Sequence, residues 1–298
     1  MSPAASDALG KLGLGTVQWG LPYGVSNRFG RTDQAEVQRI LGAARQRGVR
    51  VLDTAALYGE AEAALGQAGV ASFAVVTKTA KFGMPSIGKD QAGDLEATFR
   101  RSLALLGLDR TYGLLIHNAE DILVPGGEYL IEALRRLKQD GLVERIGFSI
   151  YEGRQVDSLL ELFVPDIVQV PINILDQRLL AGGQLARLKS AGVEVHARSV
   201  FLQGLLLMPS EAVPAYFEPI KPLLSEWRAR AGGQTVTQAA LAFVRDLDEI
   251  DTLVVGVESL AQFEAIANDM AQGQAFDASG LACGSVEFIN PALWALSK

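Results

Sequence analysis

VRVLDTAALYGEAEAALG, residues 49–66, is the stretch of this sequence that decides the fold. It begins with a short apolar run that ends at Asp53, continues through a loop that carries Tyr58, and then takes up the spacing of a helix. In a parallel barrel the carboxyl ends of the strands form one rim, and catalytic groups collect there. The stretch therefore predicts a strand–loop–helix unit with two reactive side chains at such a rim.

The same kind of unit recurs along the chain. Short apolar runs alternate with amphipathic segments, which is typical of a parallel sheet with crossover helices. The predicted strands are 12–17, 50–55, 74–78, 112–118, 145–150, 167–173, 194–200 and 252–257. The predicted helices are one between a Thr32 cap and Gly48, followed by 60–68, 92–106, 128–140, 153–162, 180–191, 236–246 and 260–269. Eight such pairs predict an α/β fold, a single (β/α)8 TIM barrel in which residues 1–298 form one domain.

Four reactive side chains fall at or just after the ends of successive strands, namely Asp53, Tyr58, Lys78 and His117. Taken one at a time they have ordinary explanations: a turn or helix cap, a packed ring, a solvated strand end. Their shared position at one rim favours a catalytic site instead. The other histidine, His196, is assigned to structure, inside a strand and without an obvious partner.

Composition limits the function classes. The 298 residues are 49% hydrophobic and 20% charged with a net charge of -7, and no Lys/Arg cluster is present, which argues against nucleic acid as a partner. One cysteine, Cys283, and two histidines without paired spacing predict neither a disulfide nor a metal site. Since the N-terminus lacks a long apolar stretch and no run reaches ~20 apolar residues, we expect a cytoplasmic protein without a membrane span.

Two segments depart from the repeat, residues 18–31 and residues 201–235. Both follow strand ends, so we expect them to lie over the reactive rim and to form walls for cofactor and substrate. The tail, residues 276–298, has two possible places, against the flank of the barrel or at the pocket.

The sequence resembles the aldo-keto reductases from about residue 12 to residue 268. The stretch at 49–66 is similar to the family signature, in which Asp and Tyr stand five residues apart ahead of Gly and an acidic helix start. Supporting pieces are LGLGTVQWG at 12–20, the Lys78 strand, LLIH, QVPINILDQR at 169–178 and SVFLQGLL at 199–206. The resemblance implies an eight-stranded barrel that reduces carbonyls with a nicotinamide cofactor, NADP(H) or NAD(H), with Asp53, Tyr58, Lys78 and His117 as its catalytic tetrad.

Carbonyl reduction suits these four side chains. The carbonyl carbon takes a hydride and the oxygen takes a proton, so the site must hold a proton donor against a developing alkoxide. Tyr58 is the expected donor, and an adjacent Lys78 ammonium should lower the pKa of its phenol. We expect Asp53 to hold Lys78 in place and His117 to orient the carbonyl oxygen.

The resemblance also implies binding residues. For the cofactor these are Ser149, Gln169, Arg198, Ser199, Gly204, Gly256, Ser259 and Gln262. For the substrate we expect Trp19, Tyr23, Phe82 and Asn118.

Three positions depart from the family pattern. Ile150 follows Ser149 where Asn is usual, Arg198 replaces an aromatic residue, and Glu258 stands in a loop that often carries a cation for the 2′-phosphate of NADPH. NADH use is therefore plausible, and the charge of Arg198 favours the reductive direction.

Two other functions remain open at this point. One is a nicotinamide-binding regulatory protein on the same barrel with little turnover. The other is a barrel lyase or isomerase that uses Lys78 as an imine-forming amine.

The expected partner is a small carbonyl compound, and sugar, aliphatic, aromatic and pyridoxal-like aldehydes are all compatible with the sequence. The expected oligomeric state is a monomer or weak oligomer.

Overall fold

Eight parallel strands close into a barrel in which each strand pairs with the next and the last pairs with the first. The coordinates are a computed structural model that describes residues 9–25, 27 and 30–294. The strands are β1 Leu12–Gly15, β2 Val51–Asp53, β3 Ala74–Lys78, β4 Thr111–Ile116, β5 Val143–Ser149, β6 Ile167–Pro171, β7 Glu194–Arg198 and β8 Thr252–Gly256. The (β/α)8 fold is thus confirmed, whereas the assignment of residues 1–298 to one domain stays a prediction.

Helices pack around the strands. The longer ones are α1 Gln34–Arg47, α2 Ala61–Ala68, α3 Lys89–Leu106, α4 Glu128–Gln139, α5 Gly153–Leu162, α6 Gln184–Ser190, α7 Lys221–Ala231, α8 Val236–Arg245 and α9 Leu260–Gln272. Four-residue helices lie at Val17–Gly20, Glu120–Leu123, Arg178–Ala181 and Val286–Ile289. Short 3-10 turns lie at Leu202–Leu207, Ser210–Ala212, Ala215–Ile220 and Pro291–Leu293.

The first helix differs from the prediction at its start. Asp33, not Thr32, is the N-cap, because the Asp33 carboxylate accepts a hydrogen bond from the backbone N–H of Glu36. Thr32 is buried, and its hydroxyl donates to the carbonyl of Glu258 at 3.3 Å. The other end is as predicted, since Gly48 adopts a left-handed conformation at φ 79° and closes the helix.

Several predicted strands run past the real ends. The predicted 112–118 stops at Ile116, so that His117 lies in the loop beyond β4. The predicted 12–17 stops at Gly15 and is followed by a helical turn. The predicted helix 180–191 is broken at Gly182 and Gly183, where a φ of 77° at Gly183 interrupts the helical geometry.

An apolar layer fills the interior of the barrel. Its members are the buried side chains of Val51, Val76, Leu115 and Ile167, which form a cluster separate from the main shell between strands and helices. Side chains two positions apart along a strand point to the same side. The next inward position after each member of this layer is therefore Asp53, Lys78, His117 or Gln169. Each of these four polar groups thus stands one inward step beyond the apolar layer, toward the carboxyl end of the barrel.

His196 has a partner, contrary to the expectation from the sequence. It lies on the same inward-facing row of β7 as Glu194 and Arg198, and its Nε2 is 2.7 Å from Oε1 of Glu194. Glu194 also accepts a hydrogen bond from the Tyr112 hydroxyl at 2.6 Å and pairs with Arg145 at 3.2 Å. This polar group lies at the amino end of the barrel, opposite the rim that carries Lys78.

Candidate active site

The four residues of the predicted tetrad meet at the carboxyl rim. The ammonium of Lys78 donates to both carboxylate oxygens of Asp53, at 2.7 Å each, and to the carbonyl of Thr54 at 3.0 Å. It lies 3.4 Å from the hydroxyl oxygen of Tyr58. The rings of Tyr58 and His117 meet edge to face with their centroids 5.8 Å apart. An ammonium, a carboxylate, a phenol and an imidazole therefore surround one small volume.

The ion pair between Lys78 and Asp53 is almost fully removed from water. The two side chains are 1% and 5% exposed, so each charge depends on close partners to offset the cost of desolvation. Asp53 has a second donor, because Nε2 of Gln169 bonds to its Oδ1 at 2.7 Å. That bond also fixes the Gln169 amide, whose Oε1 is buried and has no partner among the described residues.

The loop after β2 brings Tyr58 to the pair. Its backbone is fixed by a bond from the N–H of Tyr58 to the carbonyl of Ala55 and by one from the N–H of Ala56 to the carbonyl of Lys78. Gly20 lies directly against this loop, where a Cβ would overlap the carbonyl oxygen of Tyr58. The position of the phenol thus depends on the absence of a side chain at residue 20.

The pKa of Tyr58 is raised, whereas the sequence led us to expect that Lys78 would lower it. Burial raises the pKa of the phenol, and the Asp53 carboxylate raises it further. The positive charge of Lys78 is offset by the carboxylate it binds, so the loss of hydration dominates. Tyr58 consequently stays protonated at neutral pH.

His117 is also uncharged. Burial, followed by the positive charges of Lys78, Lys81 and Arg198, lowers its pKa to about 3. Burial lowers the pKa of Lys78 as well, and Asp53 opposes that change. Nδ1 of His117 is buried without a hydrogen-bond partner in the described part of the chain, so a neutral imidazole faces the cavity with bonding capacity to spare.

A cavity of about 640 Å³ opens over the tetrad and extends to α9. All four tetrad residues line it. So do these predicted binding residues: Tyr23, Ser149, Gln169, Arg198, Ser199, Gly204, Gly256 and Gln262. Ser259 does not reach the wall, because its hydroxyl caps α9 by accepting from the N–H of Gln262.

Three predicted substrate residues lie outside this wall. The Trp19 indole is 1% exposed and donates to the carbonyl of Val257 at 2.9 Å, so it packs beneath the first loop. Phe82 packs against the core, and Asn118 donates to the carboxylate of Asp121 at 3.0 Å. Asp121 also accepts the backbone N–H of Phe82, which ties the loops after β3 and β4 together.

The wall includes residues that the sequence did not single out. Gln18 of the short helix Val17–Gly20 lines the cavity, as do Lys81 and Tyr151 from the loops after β3 and β5, and the tail reaches the cavity through Pro291 and Ala292. Gln18 belongs to the segment 18–31 that was expected to form a wall, whereas nothing in the composition of the other two loops pointed to Lys81 or Tyr151, because their contribution depends on the path of the chain. The tail thus occupies both of the places considered for it, because Phe288 and Trp294 pack against the core while Pro291 and Ala292 reach the cavity.

The residues of the cavity fit a nicotinamide dinucleotide. Two buried amide oxygens that line it, Oε1 of Gln169 and Oε1 of Gln18, have no hydrogen-bond partner within the described ranges. Unpaired buried acceptors are costly unless a ligand donor meets them, and a carboxamide N–H is such a donor. Ile150 is fully buried, and Ser149 and Gln169 are the polar residues within β5 and β6 that line the cavity.

A model of the aldo/keto reductase family matches residues 11–277. The chain belongs to this family. An aldo-keto reductase of Mycolicibacterium smegmatis is 28% identical over 251 residues, 75% of this chain and 83% of that protein. The L-galactose dehydrogenase of Arabidopsis thaliana is 28% identical over 284 residues, 86% of this chain and 85% of that protein. The holo form of an aldo-keto reductase from Bacillus halodurans has the same fold, with a TM-score of 0.74 at 21% identity over 92% of this chain and 93% of that one.

This aldo-keto reductase is therefore an NAD(P)H-dependent oxidoreductase, as the resemblance implied. In the portion of the chain that is described, no helix combines the length and apolarity needed to cross a membrane. The same portion contains no group of three or more His, Cys, Asp or Glu side chains arranged to hold a metal ion.

Gly20→Ala is expected to lower kcat/KM for aldehyde reduction by roughly 10²-fold, because the new methyl group displaces the loop that holds Tyr58. Gly42→Ala is the matched control, since a Cβ at this position in α1 meets no atom within 4 Å. Steady-state kinetics, together with thermal unfolding to confirm that both variants fold, measures the effect. Equal kcat/KM in the two folded variants would show that Gly20 does not position Tyr58.

Proposed function

We propose that this enzyme reduces an aldehyde or ketone to an alcohol, with Tyr58 as the proton donor. The observation that carries the proposal is the contact of the Lys78 ammonium with both Asp53 oxygens and, at 3.4 Å, with the Tyr58 hydroxyl. A bound reduced nicotinamide supplies the hydride that the carbonyl carbon accepts. The protein has to bind the carbonyl, orient it and deliver a proton to its oxygen.

Tyr58 and His117 divide this work. A phenol with a raised pKa is fully protonated and can give its proton only as negative charge develops on the carbonyl oxygen. The ammonium of Lys78 lies next to the Tyr58 oxygen and stabilises the phenolate that remains. We assign neutral His117, whose ring lies edge to face with that of Tyr58, to donate a second hydrogen bond to the same carbonyl oxygen.

The structure disfavours an imine mechanism at Lys78. Its Nζ contacts two carboxylate oxygens, a carbonyl and a phenol, and the side chain is 1% exposed. Such an ammonium has no free lone pair for attack on a carbonyl. The small carbonyl substrate, the cytoplasmic location and the monomeric or weakly oligomeric state remain predictions.

Tyr58→Phe is expected to lower kcat for aldehyde reduction by roughly 10²–10⁴-fold, because the variant lacks the acid that protonates the alkoxide. Binding of the dinucleotide, followed by fluorescence, should persist. Tyr129→Phe is the control, because that ring packs against the core on α4 and lies outside the cavity.

Retained turnover in Tyr58→Phe would contradict the role of the phenol. Tight dinucleotide binding without turnover of any aldehyde by the wild type would favour the regulatory protein instead. Borohydride trapping of a covalent adduct at Lys78 would favour the imine-forming enzyme.

The second part of the proposal is that the enzyme accepts NADH. The part of the cavity beside α9 is lined by Glu258, Gln262 and Asp269, and no Lys or Arg is among the described residues there. Burial raises the pKa of Glu258, and no cation among the described residues offsets that change. A 2′-phosphate in this region would meet negative charge without a compensating partner.

Glu258→Lys is expected to tighten NADPH binding by roughly fivefold relative to NADH binding. This factor is the largest that a single exposed ion pair contributes. Asp248→Lys makes the same change of charge before β8, away from the cavity, and is the control. Titration of both dinucleotides into the three proteins gives the ratio of dissociation constants. An NADPH to NADH ratio that does not change in Glu258→Lys would remove the electrostatic basis of the proposal.

A further inference from the structure

Positive charge collects at the tetrad end of the cavity. Lys78, Lys81 and Arg198 all line it, and Lys78 is the one that pairs with a carboxylate, that of Asp53. Lys81 and Arg198 have no carboxylate within 4.0 Å among the residues that the structure describes. Two cations are thus left without a counter-charge beside the reacting groups.

Arg198 is held in place by neutral partners. Its Nη2 donates to the carbonyl of Ile150 at 2.9 Å and its Nη1 to the hydroxyl of Ser199 at 3.2 Å. Its guanidinium carbon lies 4.2 Å from the centre of the Tyr151 ring. These contacts fix the direction of the group and leave its full charge in the cavity.

Lys81 reaches the same space from another side. It follows β3 by three residues, is exposed, and lines the cavity together with His117 and Tyr151. The charges of Lys81 and Arg198 both act on His117, after burial and Lys78, to lower its pKa. Arg198 and, more weakly, Lys81 also lower the pKa of Tyr151. Both cations are therefore near enough to act on a molecule bound at the tetrad.

Apart from Asp53, which Lys78 neutralises, the acidic groups of the cavity lie elsewhere. Glu258 and Asp269 belong to the loop after β8 and to α9, and no cation of the described residues contributes to the raised pKa of Glu258. The cavity consequently has a cationic end at the tetrad and an acidic end at α9. Within a cleft with low-dielectric walls, such a separation selects ligands by charge.

We propose that the carbonyl substrate carries an anionic group, a carboxylate or a phosphate, that Lys81 and Arg198 bind while the carbonyl faces Tyr58 and His117. This inference rests on the proposed reductase function, names its substrate class, and assigns to the substrate Arg198, which the resemblance had implied for the cofactor. A neutral sugar or an unsubstituted aldehyde would offer neither cation a counter-charge. An acid substituent would complete the two ion pairs and orient the carbonyl with them.

The test compares aldehydes that differ in charge and little in shape. One pair is 4-carboxybenzaldehyde and 4-formylbenzamide, and the other is glyceraldehyde 3-phosphate and glyceraldehyde. The ratio of kcat/KM within each pair is measured with wild type, Lys81→Gln, Lys81→Arg and Lys89→Gln. Lys89→Gln is the matched control, because this exposed lysine at the start of α3 has the same charge and does not line the cavity.

The wild type is expected to prefer the anionic member of at least one pair, and the pair that shows it identifies the group. Lys81→Gln should reduce that preference by roughly fivefold through KM, whereas Lys81→Arg and Lys89→Gln should retain it. Added salt should weaken the preference in the wild type.

Equal kcat/KM within both pairs, or an unchanged preference in Lys81→Gln, would overturn the inference. If the neutral aldehydes are still reduced in a Tyr58-dependent manner, the proposed reductase function stands and the inference about an anionic substrate fails. Absence of turnover of all four aldehydes would overturn both.

Discussion

The buried ion pair between Lys78 and Asp53 is the interaction on which the rest of the site depends. Each partner alone would be an uncompensated charge inside the barrel, which is a strongly destabilising arrangement. Together, and with Gln169 bonded to the same carboxylate, they place an ammonium beside the Tyr58 hydroxyl. The phenol, the imidazole and the cavity above them acquire their chemistry from that fixed charge and from the lack of water around it.

The sequence predicted the barrel and the places of Asp53, Lys78 and His117 because these follow from strand periodicity, whereas Tyr58 stands in the loop after β2 and was assigned through the family signature. Asp53 and Lys78 stand two positions after Val51 and Val76, so the residues that pack the interior also set the direction of the charged groups. Gln169 follows Ile167 in the same way. The rim positions were therefore readable wherever a strand was recognised, even though several strands end one or two residues earlier than the apolar pattern suggests.

What the sequence did not predict depends on loop paths and on burial. Lys81 and Tyr151 are ordinary residues of irregular segments, and they become part of the cavity wall only through the way those segments fold over the rim. Trp19 was expected at the substrate, yet its N–H finds the Val257 carbonyl beneath the loop. The pKa of Tyr58 was expected to fall because Lys78 is near, whereas burial and Asp53 raise it. Hydration is a property of the folded cavity, and the spacing of residues does not reveal it.

The central claim is that burial around the ion pair keeps Tyr58 and His117 as neutral donors toward one carbonyl oxygen. The pH dependence of kcat/KM for reduction of an uncharged aldehyde tests it most directly. With the pKa of His117 lowered to about 3 and that of Tyr58 raised, neither group changes protonation near neutrality, so the profile should be flat between about pH 5 and 8. A change of rate centred near pH 6.5, the value of an ordinary imidazole, would contradict the account.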